Sequence, residues 1–156
     1  MRVRGFTLIE VIITVVIVAI LATGAMPVIQ LTIKRNKESE LRSDLREIRT
    51  AIDLYKKAVD GGKIRKSLEQ TGYPPNLEVL ETGVQDVTSP KRKILRFIRK
   101  IPRDPMTNYP DRTAAQTWGT RSYDSDSDNP REGVDVYDIY SLSLEKGVNG
   151  TSYNTW

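Results

Sequence analysis

The chain has 156 residues, room for one compact domain plus an appendage, and its 24 basic and 20 acidic residues leave a formal charge of +4. Charges of both signs are interspersed, so no nucleic-acid footprint follows from the total. Cysteine and histidine are both absent, which excludes disulfide scaffolds, Ser-His-Asp and Cys-His catalysis and the usual zinc sites. An enzyme would have to work with carboxylates, lysines or tyrosines alone, and the expectation is a non-enzyme.

Residues 1–5 form a short leader in which Arg2 and Arg4 directly precede an apolar run from Phe6 to Ile33. About 20 helical residues at 1.5 Å rise match a hydrocarbon core of roughly 30 Å, so residues 6–33 are predicted to span a bilayer. By the positive-inside rule the two arginines hold the N-terminus in the cytoplasm and the polar remainder is exported. Lys34, Arg35 and Lys37 place comparable charge beyond the other end and weaken that argument. A secretory signal peptide cut among the small residues of Ala19 to Ala25 is the competing reading. Against it, the run continues without a break through Val28, Ile29, Leu31 and Ile33.

Glu10 is the informative residue of this segment, because a carboxylate within an apolar helix costs on the order of 2.5–3.5 kcal/mol on insertion scales. Something should neutralise it. A cut between Gly5 and Phe6 would create an α-amino group at the i, i+4 spacing from Glu10, for pairing within a chain or between chains. A glutamate close enough to the interface to snorkel into the headgroups is the alternative. Pro27 removes one backbone hydrogen bond and bends or locally melts the helix.

Beyond the apolar run, Leu41, Leu45, Ile48, Ile52, Tyr55 and Val59 recur at spacings of 4, 3, 4, 3 and 4, a single apolar stripe on a helix. Residues 34–60 therefore read as an amphipathic continuation of the same helix, stopped by Gly61-Gly62. A continuous helix from Phe6 to Asp60 would be about 80 Å long. The stripe is too short for a coiled coil and is expected to pack on the chain's own head.

Residues 61–156 form that head, with short segments punctuated by proline, glycine and asparagine. Pro74-Pro75-Asn76 leads into Leu77, Val79 and Leu80 with Gly83 after them, the start and stop signals of a short helix. Trp118 to Tyr123 and Val134 to Leu144 are rich in aromatic and β-branched residues and read as strands of a small antiparallel sheet. Roughly 95 residues of modest apolar content bury little core unaided, so the stripe from Leu41 to Val59 should complete it.

Two charged segments stand out in the head. Asp124, Asp126 and Asp128 place oxygen ligands at alternate positions, with Asp135 at the twelfth, and so imitate an EF-hand loop for calcium. The imitation is incomplete: Asn129 stands where the turn wants glycine, Pro130 follows and no flanking helices are evident. A solvated acidic loop is the simpler reading. Lys91, Arg92, Lys93, Arg96, Arg99 and Lys100 form a basic run interrupted by Ile94, Leu95, Phe97, Ile98 and Ile101. It reads as a half-buried segment with charges facing water, or as a surface for anionic lipid, exported DNA or an acidic neighbour such as another copy's Asp124 to Asp128 loop.

Gly5-Phe6-Thr7-Leu8-Ile9-Glu10 after a basic leader resembles the processing signal of type IV pilins and type II secretion pseudopilins. In the head, Tyr73-Pro74-Pro75, Ile101-Pro102-Arg103-Asp104-Pro105, Val136-Tyr137-Asp138-Ile139-Tyr140-Ser141 and Trp156 are similar to landmarks of the major pseudopilins. The resemblance implies an α+β, pilin-like fold, a long N-terminal helix packed on a small C-terminal antiparallel sheet. It implies a prepilin peptidase that cuts after Gly5 and methylates Phe6, a Glu10 that meets the N-terminal amine of a neighbour, and a helix-breaking role for Pro27 in assembly. The implied partners are further copies in a homo-oligomeric filament, minor pseudopilins, and an inner-membrane platform with its assembly ATPase. The implied location is the bacterial inner membrane, single-pass, with the head in the periplasm.

The resemblance also implies calcium in a loop after the Asp-Ile-Tyr-Ser strand, held by acidic residues. Here that stretch, residues 144–153, contains no aspartate. A type IV pilin or minor pilin for adhesion, motility or DNA uptake shares the N-terminal signal. A monomeric membrane-anchored binding domain is the alternative of a different class.

Overall fold

The computed structural model describes residues 5–68, 70–126 and 128–156, with the side chains of residues 23–28 outside that description. Two compact units divide the chain, Met1–Asn36 and Lys37–Trp156, and one helix, α1 (Leu8–Asp60, 53 residues), contributes to both.

In the first unit the apolar side chains of α1 are exposed along the helix, from Leu8 at 79% to Leu21 at 68%. The hydroxyl of Thr14 returns to the carbonyl of Val11 at 2.8 Å, which keeps a polar group satisfied inside an apolar run. Among the described residues no helix is long and apolar enough to cross a membrane. The side chains of residues 23–28 fall inside the run from Phe6 to Ile33 and lie outside what was described.

In the second unit the predicted stripe is the centre of the core. Leu41, Leu45, Ile48, Ile52, Tyr55 and Val59 are all buried, packed with Leu77, Leu80, Ile98, Trp118, Val136 and Ile139 of the head. Each large apolar side chain so buried contributes about 1.5–3 kcal/mol, and the helix supplies six of them. The head therefore owes much of its core to α1. The helix ends as Gly61-Gly62 predicts: Gly62 takes φ 71°, its N–H reaches the carbonyl of Val59 at 2.9 Å, and the N–H of Lys63 reaches that of Ala58 at 2.9 Å. This is the paired closure of a Schellman motif, which a left-handed glycine permits without a side-chain clash.

The short helix α2 (Glu78–Thr82) follows the double proline, with the Asn76 side-chain oxygen accepting the Val79 N–H at 3.0 Å. A two-residue ribbon comes next, β1 (Val84–Gln85) antiparallel to β2 (Ile94–Leu95). A second ribbon joins β3 (Trp118–Arg121) to β4 (Asp138–Ser141), with Trp118 opposite Ser141 and Arg121 opposite Asp138.

The antiparallel pairing is as the sequence predicts, but both strands are shorter. Val134 to Val136 stay outside the ladder, where the Val136 N–H turns to the carbonyl of Pro74 at 2.8 Å, while the Tyr137 N–H still donates to the carbonyl of Arg121 at 2.8 Å. Val136 is buried by that connection while Val134 is 78% exposed. The β1–β2 ribbon was not predicted; its strands are two residues long and one lies within the basic run.

Candidate assembly site

The residues around the predicted cut lie just before α1. Gly5 and Phe6 are both exposed and precede the first helical residue, so the peptide bond between them is not locked in a helical hydrogen-bond ladder. A protease needs an accessible backbone free of helical structure, and this junction offers one.

Glu10 sits in the first turn of α1 and is partnered within the chain. Its Oε2 accepts the Thr7 N–H at 3.4 Å, and its own N–H donates to the Thr7 hydroxyl at 3.3 Å. The reciprocal pair is a capping box, which satisfies helix donors and sets a negative charge at the positive end of the helix dipole. The Thr7-x-x-Glu10 spacing was a readable signal, overshadowed by the question of what could neutralise the glutamate. Pro27 lies within the span of α1, and its side chain is among those outside the described set.

The second unit gathers the head landmarks into one network. Asp104 is 2% exposed, and its carboxylate accepts the Ser141 hydroxyl at 2.6 Å and the Met106 N–H at 2.8 Å. Burial pushes this carboxyl above its usual range, and the hydrogen bonds from Ser141 and Met106 hold it partly back. Trp118 Nε1 donates to the carbonyl of Pro102 at 2.9 Å. The proline-flanked aspartate and the Asp-Ile-Tyr-Ser strand are thus two halves of one buried contact.

Three polar residues of α1 hold β4 and the segment after it. Glu38 is buried, and its Oε1 accepts the Val148 N–H at 2.7 Å and the Tyr153 hydroxyl at 2.9 Å. Burial first, then the hydrogen bond to Glu38 and its charge, push the Tyr153 hydroxyl up to about 12. Arg49 donates Nε to Asp138 Oδ1 at 2.7 Å and Nη2 to the carbonyls of Ile139 at 3.1 Å and Trp156 at 2.8 Å. The Arg42 guanidinium lies 4.3 Å from the centre of the Trp156 ring. None of these was singled out from sequence. Glu38 stands three residues before Leu41, in register with the apolar stripe, and a lone acid on a buried stripe was the available signal.

Asp124, Asp126 and Asp128 lie in an exposed turn, where the Asp128 N–H donates to Asp126 Oδ1 at 3.2 Å. Asp135 is not with them. It is buried and accepts the Ser122 hydroxyl at 2.6 Å, the Tyr123 N–H at 3.0 Å and the Thr71 hydroxyl. Burial raises its carboxyl, and these three donors outweigh that effect and hold it below the usual range. Among the described residues no group of three or more acidic side chains is placed to hold a metal ion. The cations from Lys91 to Lys100 are exposed while Ile98 is buried and Phe97 partly so, matching the reading of a half-buried segment with its charges in water.

An exposed junction before a capped apolar helix, and a small sheet folded on the far half of that same helix, define a type IV pilin-like subunit. The profile of the prokaryotic N-terminal methylation motif matches residues 1–26. The type II secretion system core protein G of Vibrio cholerae is 30% identical over 97% of this chain and 90% of its own length. Its counterpart in Pseudomonas aeruginosa is 30% identical over 96% of this chain and 89% of its own, and that of Escherichia coli is 28% identical over 67% and 68%. No solved structure matches. The chain belongs to the type II secretion system core protein G family, the major pseudopilins.

Proposed function

We propose that this chain is stored as a single-pass precursor in the bacterial inner membrane, cut between Gly5 and Phe6, methylated at Phe6, and polymerised through the N-terminal half of α1. The product is a periplasmic pseudopilus that supports type II protein export. The observation that carries the proposal is the methylation motif over residues 1–26 in a chain otherwise alignable along its length with core protein G relatives. The exposed Gly5–Phe6 junction supports the cut. The role is structural. Work comes from assembly, with energy and docking supplied by the secretion system's ATPase and inner-membrane platform, and minor pseudopilins complete the filament.

Glu10 has two successive partners in this account. In the stored subunit it caps α1 through Thr7; after the cut, the Phe6 amine of an incoming neighbour is the stronger partner, since an ion pair replaces a neutral donor in a low-dielectric surrounding. Glu10→Ala should therefore leave the processed subunit in the membrane and abolish sheared filaments. Filaments assembled by Glu10→Ala at the wild-type level would refute this role.

A further inference from the structure

We propose that the loop after β4, residues 144–153, is closed by the chain's own side chains, with the Glu38 carboxylate at its centre, and takes no calcium ion. The proposal concerns the head alone and stands whether or not the chain polymerises.

Calcium needs six to eight oxygen ligands at about 2.3–2.6 Å, converging on one point. The loop does the reverse. Its inward groups are donors, the Val148 N–H and the Tyr153 hydroxyl, and they converge on a carboxylate brought from α1. Three of the loop's own carbonyls are engaged: that of Glu145 takes the Tyr153 N–H at 3.0 Å, that of Gly147 the Gly150 N–H at 2.9 Å, and that of Thr151 the Gly147 N–H at 2.8 Å. Asn149 Oδ1 takes both the N–H and the hydroxyl of Thr151. No aspartate occurs between residues 144 and 153, Glu145 is exposed, and the loop carries a lysine, Lys146.

The space around Gly147 is also tight. A Cβ on Gly147 would press against the Trp156 ring, the Asn149 side chain and Glu38 Oε1. The indole is itself fixed, donating Nε1 to the Thr151 hydroxyl at 2.7 Å under the Arg42 guanidinium. An anionic side chain inserted among backbone and hydroxyl donors does here what a cation does among carboxylates: it ties a long loop to the body of the head.

The test uses the full chain in detergent micelles, with thermal unfolding and tryptic cleavage after Lys146 followed in calcium chloride and in EGTA. Wild type should unfold at the same temperature, within about a degree, in both; a rise of several degrees with calcium would overturn the proposal, because a ligand that binds only the folded state must raise it. Glu38→Ala should be cleaved about tenfold faster and Tyr153→Phe severalfold faster, equally in both solutions, as expected for the loss of charge-assisted hydrogen bonds. Wild-type cleavage rates in both variants, or restored protection of either by calcium, would also overturn it. Should Glu38→Ala fail to fold, Tyr153→Phe carries the same comparison, since it removes one hydroxyl and keeps the ring.

Discussion

Asp44 lies partly buried on α1 between Glu40 and Glu47, and burial first, then those two charges and that of Asp104, push its carboxyl up to about 6. A folded-state value above the unfolded one means that the fold prefers the protonated form. The associated stability is present below about pH 4 and is lost as pH rises through about 6. Between roughly pH 5 and pH 7.5 the head should lose on the order of 1 kcal/mol, a figure lowered from the full shift because solvent screens a partly exposed group. Asp44→Asn should raise the melting temperature at the higher pH by about 4 °C and flatten the pH dependence, measured by circular dichroism on micelle-bound chain. An unchanged melting temperature would remove Asp44 from the account. Asp135 has the opposite sign: its depressed carboxyl contributes stability that is lost only as pH falls below the usual carboxylate range. Individual roles of this kind were the least legible part of the sequence. Spacing alone sets Asp135 at the twelfth position of the acidic loop, yet it is a buried acceptor, because which aspartate turns inward is decided by contacts with Thr71 and Ser122.

At the scale of elements, α1 carries the argument. Its stripe was legible because spacings of 3 and 4 leave one face, and that face has to be covered. Ile48 is fully buried at the middle of the stripe, so Ile48→Ala should cost about 2–5 kcal/mol, read as a shift in the urea midpoint with unchanged slope. The β3–β4 ribbon makes a second, sharper prediction. Gly119 faces Tyr140 across the ribbon, and an added Cβ would overlap the tyrosine ring, which lies against the glycine. Gly119→Ala should destabilise the head by about 1–3 kcal/mol, with loss of the near-ultraviolet tyrosine signal at lower urea; wild-type stability would show that the ring moves aside freely. Strand type and pairing were legible in the aromatic and β-branched runs. Strand ends were not, because the Val136 N–H leaves the ladder for Pro74, a partner set by tertiary contact rather than local pattern. The β1–β2 ribbon escaped for the same reason, two residues being too few to show an alternation.

For the molecule as a whole, the sequence separates two tasks along one helix, and each was legible for a different reason. The leader, the junction and Glu10 form a contiguous motif that reads without a fold, and family membership rests on that motif together with the head. The latch of Glu38 and Arg49 onto the last residues joins positions about a hundred apart in sequence and could be read only from coordinates. The account as a whole depends on processing, since only a cut after Gly5 frees the amine that Glu10 is to meet. The most direct measurement is the intact mass and N-terminal sequence of the protein isolated from its native membrane. A methylated chain beginning at Phe6 is the predicted result, and an intact Met1 or a cut near Ala25 would contradict the account.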